Sequence, residues 1–505
     1  MRVELVGTNV PLSVIEDVLT FVPKEKRDFY RARLSPIPIC AAYARISRDH
    51  RDVDILLKKA IEDIKGSAKS AQQIAFGMGH HSVADHAIFN FDLIGVSRLL
   101  IEEIEARRIA GYTEKSQRYI TLDGDFVIPK EFSPQDLRKF EELVALQNAF
   151  YTTQNQRLLE HLTKKHPKLD EKSLESMAKE DARYGLSLAT EAQLGCSYGG
   201  ETAEHAIRVL RQSELQEGRD LAEKLVSELQ AYLPIVQLID PATFEKFNPG
   251  AKLDENYFLH TRDALRGLTR EIFKKIKPGA PDISYMSGKN DVYVMKPNSV
   301  DDSVIAALLF ANSNKPIIDC YGIAAPLSRG SQIDFIKKAL VHLSKYDKVP
   351  REFEIGGSDF VFSADISSSC FAQLKRHRMM TLISQDYNPN LDVVIPESIQ
   401  EINAESELRE VTDKSLKLYN EFKPRYGKPA EYCLTNAHKR RVLVGANIRE
   451  LYHISRMRED EHAQWEIRHL ANEMSDFARD IAPASSLLLA GKHEFDELRS
   501  KVYED

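Results

Sequence analysis

Apolar and polar residues alternate along Phe89-Asn90-Phe91-Asp92-Leu93 and again along Phe360-Val361-Phe362-Ser363-Ala364. A two-residue period of this kind marks a strand. A serine follows each run, Ser97 and Ser367, where a helix N-cap belongs, and helices are predicted from there to Arg107 and to Arg376. Short extended segments are predicted over 3–6 and 292–295. Apolar residues at three-four spacing predict helices over 53–76, 133–164, 202–231, 403–421 and 461–480. A connecting helix is predicted over 256–277, ended by Lys277-Pro278-Gly279.

The anchors recur in one order. Val127-Ile128-Pro129 is matched by Val394-Ile395-Pro396, and Ala182-Arg183-Tyr184-Gly185-Leu186 by Ala430-Glu431-Tyr432-Cys433-Leu434. Such self-similarity means that one unit is present twice. The expected fold class is α+β: two tandem domains, each with helices packed on a small, mainly antiparallel sheet, forming a pseudo-dimer. The copies are placed at 1–245 and 285–505, with 246–284 as connecting helix and linker.

Bulk properties narrow the chemistry. At 505 residues the chain exceeds one hydrophobic core. A net charge of -7 gives no reason to expect nucleic-acid or membrane binding, so any anionic ligand must be held by a local arginine cluster. Five scattered cysteines without CxxC spacing point to reduced thiols in a cytoplasm and away from zinc or disulfides. The sequence shows neither an apolar signal region at Met1 nor a run of membrane-spanning length.

Four segments carry candidate chemistry. Gly79-His80-His81-Ser82-Val83-Ala84-Asp85-His86 lacks ligand spacing for a metal and suits either a polar cofactor loop or a helix-ending turn. Arg376-His377-Arg378 suits a phosphate or carboxylate, or a solvated helix end. Glu114, Ser116 and Arg118 share one face if extended. Asn447 is a plausible N-cap with Glu450 at N3, and Arg449 and His453 lie one turn apart ahead of Arg458. Trp465, the single tryptophan, reads as core.

Together these segments resemble the flavin-dependent thymidylate synthases, the ThyX family. The family signature is Arg-His-Arg, seven residues, then Ser. It is preceded by a Gly-His-x-Ser/Thr-x-x-Glu-His loop and followed by Ala-Arg-x-x-Leu, Asn-x-Arg-x-Leu and Ala-Gln-Trp-Glu-Ile. The resemblance implies conversion of dUMP to dTMP with methylenetetrahydrofolate, FAD and NADPH. It also implies sites between subunits of a tetramer, which two chains of this length would imitate as a homodimer. A related one-carbon transfer to another pyrimidine nucleotide, or a flavin- or nucleotide-binding protein without turnover, are the alternatives.

The two copies match the family in complementary parts. For dUMP, the resemblance points to Glu114, Lys115, Ser116, Gln117, Arg118 and Arg183 of the first copy and Gln373, Arg376 and Arg458 of the second. Arg458 falls where the family activates the pyrimidine ring. For FAD it points to His80, Ser82 and Asp85 in the first copy, with Asp85 in place of the usual Glu. In the second copy it points to Arg376, His377, Arg378, Asn447, Arg449 and His453. The reciprocal combination holds Glu103, Ala106 and Leu210 against Asp386 and Glu431, which should repel a nucleotide phosphate. One working site per chain is expected.

Overall fold

The computed structural model describes residues 1–8, 10–46, 49–72, 81–117, 124–232, 254, 256–277, 284–287, 293–296, 300–339, 350–352, 355, 360–481, 489–495, 497–498 and 501. Two antiparallel sheets organise them. The first contains β1 (Arg2–Gly7), β2 (Ile88–Ser97), β3 (Ala110–Glu114) and β4 (Glu191–Gly199) in the order β1-β2-β4-β3. The second contains β5 (Ser284–Ser287), β6 (Tyr293–Lys296), β7 (Phe360–Ser367), β8 (Thr381–Tyr387) and β9 (Lys439–Ala446) in the order β5-β6-β7-β9-β8. With the extra edge strand β5 set aside, the orders coincide, so the repeat read from the sequence is a repeat of topology. β5 begins at the last residue of the predicted linker and runs into the expected second copy, and no strand was predicted there.

Alternation places Phe89, Phe91 and Leu93 of β2 in the core. β7 is buried on both faces: Phe360 and Phe362 pack with Val442, Val444, Leu451 and Ile467, while Val361 packs with Ile305, Tyr321 and Leu443. The strand was expected, but not with the alternation read for it: Phe360-Val361-Phe362 is continuously apolar because both faces are covered. The predicted helix over 53–76 is two helices, Val53–Glu62 and Ile64–Gln72. Asp63 separates them, its carboxylate accepting the Gly66 N–H at 2.9 Å, a local bond that competes with the helical ladder. The helix predicted over 202–231 likewise divides into Gly200–Arg211 and Gln216–Glu228, with the Ser213 hydroxyl accepting the Leu215 N–H at 3.0 Å.

The two halves share their interior. Tyr387, Phe422 and Tyr432 belong to the core built around β2, and Phe150, Tyr184 and Leu186 pack with Ile399, Leu408 and Ala437. At their junction the segments after Arg183 and Glu431 pair symmetrically. The Leu188 N–H donates to the Leu434 carbonyl and the Asn436 N–H to the Leu186 carbonyl, both at 2.9 Å. Ser187 and Thr435, equivalent residues of the two copies, bridge directly. The N-caps repeat the symmetry. The Glu217 carboxylate accepts from Ser97 N–H (2.7 Å), Ser97 Oγ (2.6 Å) and Tyr432 OH (2.8 Å). Glu466 accepts from Ser367 N–H (3.0 Å), Ser367 Oγ (2.5 Å) and Tyr184 OH (2.6 Å). Each lobe therefore lends a buried tyrosine to the other lobe's cap around one internal two-fold axis.

Candidate functional site

Two cavities are related by that axis. The first, about 460 Å³, is lined by Arg98, Glu114, Lys115, Ser116, Gln117 and Arg183 of the first half and by Gln373, Arg376 and Arg458 of the second, among others. β3 delivers Glu114, and the Lys115 N–H continues the pairing by donating to the Gln193 carbonyl at 2.9 Å. Arg183 follows the Glu171–Ala182 helix, its Nε donating to the Glu180 carbonyl at 3.1 Å. Gln373 and Arg376 come from the end of the Ser368–Leu374 helix, and Arg458 ends the Ile448–Arg458 helix. Sequence distance was therefore no obstacle: eight of the nine residues assigned to dUMP border one space. Arg118 and His80 lie outside the described residues, as do the side chains of Ser82 and Arg449.

Electrostatics set the second-half residues rigidly. Arg458 donates from Nε to His377 Nε2 at 2.8 Å, from Nη1 to Gln373 Oε1 at 3.1 Å and from Nη2 to the Gln373 carbonyl at 3.1 Å. His377 must therefore keep a lone pair on Nε2. Burial first, then Arg458 and His453, push its imidazole down to about 3, so it is neutral at physiological pH. The His453 ring stands 5.3 Å away, edge to face. Asn447 caps its helix as expected, Oδ1 accepting the Glu450 N–H at 3.0 Å. Arg378 is exposed. Sequence reasoning missed Arg98, a buried arginine that forms an ion pair with Glu114. In the sequence it is one more residue of an otherwise apolar helix turn, and only folding brings it to Glu114.

The residues assigned to FAD are divided between lobes. Asp85 lies at the start of the first lobe's Gly200–Arg211 helix, its carboxylate accepting the Glu201 N–H at 3.1 Å. Asn447 and His453 stand in the corresponding place on the second lobe. The approach of Asp85 and Ala84 leaves no room for a side chain at Gly199 or Gly200. A Cβ on Gly199 would lie 2.6 Å from Asp85 Oδ1, and one on Gly200 would lie 2.6 Å from the Ala84 carbonyl oxygen. Trp465 is partly buried, stacked on Tyr184 at 5.9 Å, with its indole N–H donating to Asp181 at 2.9 Å.

The second cavity, about 290 Å³, is lined by Glu103, Ala106 and Asp386, three of the five residues named for the reciprocal combination, while Leu210 and Glu431 are buried and do not line it. The expected bare carboxylates are not what the structure shows, however. Lys428 places its amine 2.7 Å from both Asp386 Oδ1 and Glu431 Oε2. Burial alone would lower this amine, but the two carboxylates outweigh burial and hold it above its ordinary range. The connecting helix Tyr257–Lys275 adds Arg262 and Arg266, which pair with Glu214 at 3.4 and 3.0 Å, and Arg266 also reaches Asp386 at 3.6 Å. Phe258 and Arg262 line the cavity. The acidic lining is thus neutralised from within, and the connecting helix covers it. At the equivalent positions of the first cavity the charges are reversed, with Glu180 and Arg183 where the second has Lys428 and Glu431.

Among the described residues, no three His, Cys, Asp or Glu side chains group as a metal site, and no helix is long and apolar enough to cross a membrane. The family model of the thymidylate synthase complementing proteins matches residues 33–235 and 319–484, one match in each half. The chain belongs to this family. Two UPF0159 proteins match along most of their length. That of Thermoplasma acidophilum is 23% identical and covers 83% of this chain and 88% of its own, and that of Chlamydia muridarum is 22% identical, covering 87% and 82%. The flavin-dependent thymidylate synthase of Clostridium tetani is 26% identical over 208 residues, 40% of this chain and 80% of its own. The solved Helicobacter pylori ThyX with FAD and dUMP is 18% identical, covers 42% of this chain and 95% of its own, and gives a TM-score of 0.27.

Proposed function

We propose that the chain is a flavin-dependent thymidylate synthase with one composite site: dUMP and methylenetetrahydrofolate give dTMP, FAD carries the hydride, and NADPH reduces the flavin. The observation that carries this reading is the meeting of Lys115, Ser116 and Arg183 with Gln373, Arg376 and Arg458 around one cavity. A nucleotide phosphate suits that set: guanidinium groups bind its oxygens in pairs, and the Ser116 hydroxyl donates. Arg458 is always charged and is already held by Gln373 and His377. It is a preorganised positive charge where negative charge would build on the pyrimidine, and it requires no reorganisation as the reaction proceeds. A protein thiolate is not offered in this cavity. No cysteine is among its lining residues, and all five are buried.

The residues present fit FAD. The exposed Arg378 and the one-third-exposed Arg376 offer cations suited to a pyrophosphate, beside the Asn447 and His453 helix. Bound FAD supplies the hydride chemistry; the chain's own share is to bind, to orient and to hold charge. Asp85 and Asn447 stand on opposite lobes of one chain; in this reading, with the family resemblance implying sites between subunits, a second chain completes the flavin set and the working form is a homodimer.

Purified protein should carry a flavin spectrum and release tritium from C5 of labelled dUMP when given methylenetetrahydrofolate and NADPH. Colourless protein that cannot be reconstituted with FAD, or release from UMP but not from dUMP, would refute the assignment.

A further inference from the structure

Glu105 and Lys375 occupy equivalent positions, each the first residue past its signature helix, with N–H bonds to the Ile101 and Phe371 carbonyls. Across the internal axis they meet each other. Lys375 Nζ lies 3.1 Å from Glu105 Oε2, and the two side chains are 4% and 1% exposed. In a symmetric dimer this position would face its own copy and bury two like charges, an arrangement disfavoured at short range. Fusion removes that constraint, because the two copies are free to carry opposite signs. The second oxygen of Glu105 is also engaged. Oε1 accepts from Arg376 Nη1 at 2.5 Å, while Arg376 Nη2 donates to the Tyr112 carbonyl at 3.4 Å. Arg376, a second-half side chain that is one-third exposed at the cavity, is therefore aimed from below by the first half. Beneath it Glu114 is paired with Arg98 and lies 4.0 Å from Lys375, so neighbouring charges alternate in sign.

We propose that Glu105 is a positioning residue that aims Arg376 into the composite site, and that its pairing with Lys375 across the axis is a charge asymmetry available only to the fused chain. The first part rests on the nucleotide-binding reading above. Neither residue was singled out from the sequence; the only trace there is opposite charge at matched positions.

Three full-length variants test it, each assayed for dUMP affinity by titration calorimetry and for its midpoint of denaturation. Glu105→Gln should weaken dUMP roughly tenfold, the usual consequence of losing one charge-assisted bond. Lys375→Met should lower the denaturation midpoint yet leave dUMP affinity within about twofold, because Glu105 still holds Arg376. The double exchange Glu105→Lys with Lys375→Glu should regain the midpoint, because the axis pair is re-formed, but not the affinity, because a lysine then faces Arg376. Wild-type affinity in Glu105→Gln, an equal loss in Lys375→Met, or recovery of both properties in the exchange would show a purely structural contact and overturn the positioning role. If the wild-type chain itself fails to bind dUMP, the proposed function falls first and this inference with it.

Discussion

Lys428→Met offers a test of the second cavity that does not touch the first. In the native chain Lys428 is 12% exposed and the Glu431 side chain fully buried. Burial, offset in part by Lys428, raises the Glu431 carboxyl to about 7 from an ordinary 4.5. The folded state therefore holds a proton that the unfolded chain releases, so stability falls as pH rises from about 4.5 to about 7 and then levels off. Without Lys428 the carboxyl stays protonated to higher pH and the levelling is lost. The variant should then lose about 1.4 kcal/mol per further pH unit, or about 2 kcal/mol by pH 8.5. This adds to the loss of the Lys428–Asp386 contact, which appears at every pH at which Asp386 is ionised. Denaturant unfolding of both proteins at pH 5.5 and pH 8.5 measures the difference directly. A deficit that does not widen with pH would refute the role given to Glu431. A loss of dUMP affinity would refute the separation of the two cavities.

Arg458→Ala and Ser116→Ala should each reduce tritium release at least a hundredfold, because one site draws on both halves; residual activity near wild type in either would contradict the composite site. Calorimetric titration should give one dUMP per chain, and two would refute the asymmetry. Arg108→Ala should cost less activity than Arg378→Ala, and equal loss would contradict one flavin set per chain. Glu217→Gln and Glu466→Gln should each destabilise by about 1–3 kcal/mol, since each leaves a capping serine and a cross-lobe tyrosine partly unsatisfied; a change below a few tenths in both would remove the caps from the list of contacts that join the lobes.

Much of this was legible in the residues because it is local. Ser97, Ser367 and Asn447 are N-caps, and a cap is a contact within one helical turn. The alternating run around Phe91 became the central strand β2 because a period of two has one buried solution per face, whereas the apolar run around Phe362 became β7, covered on both faces. The single long helices expected near residues 63 and 213 failed for an equally local reason. The polar side chains of Asp63 and Ser213 offered nearby N–H groups a bond outside the helical ladder.

The sequence by itself determined that one unit occurs twice and where most of its strands and capped helices lie, since these are properties of order and short-range pattern. Tertiary structure alone decided which charges meet. The pairing of Glu105 with Lys375, of Lys428 with Asp386 and Glu431, and of Arg266 with Asp386 depends on side chains far apart in the chain that share buried space. Coulomb energy depends on distance and surroundings, not on separation along the chain. A carboxylate that looked like a bare obstacle to phosphate is, once folded, one half of an ion pair.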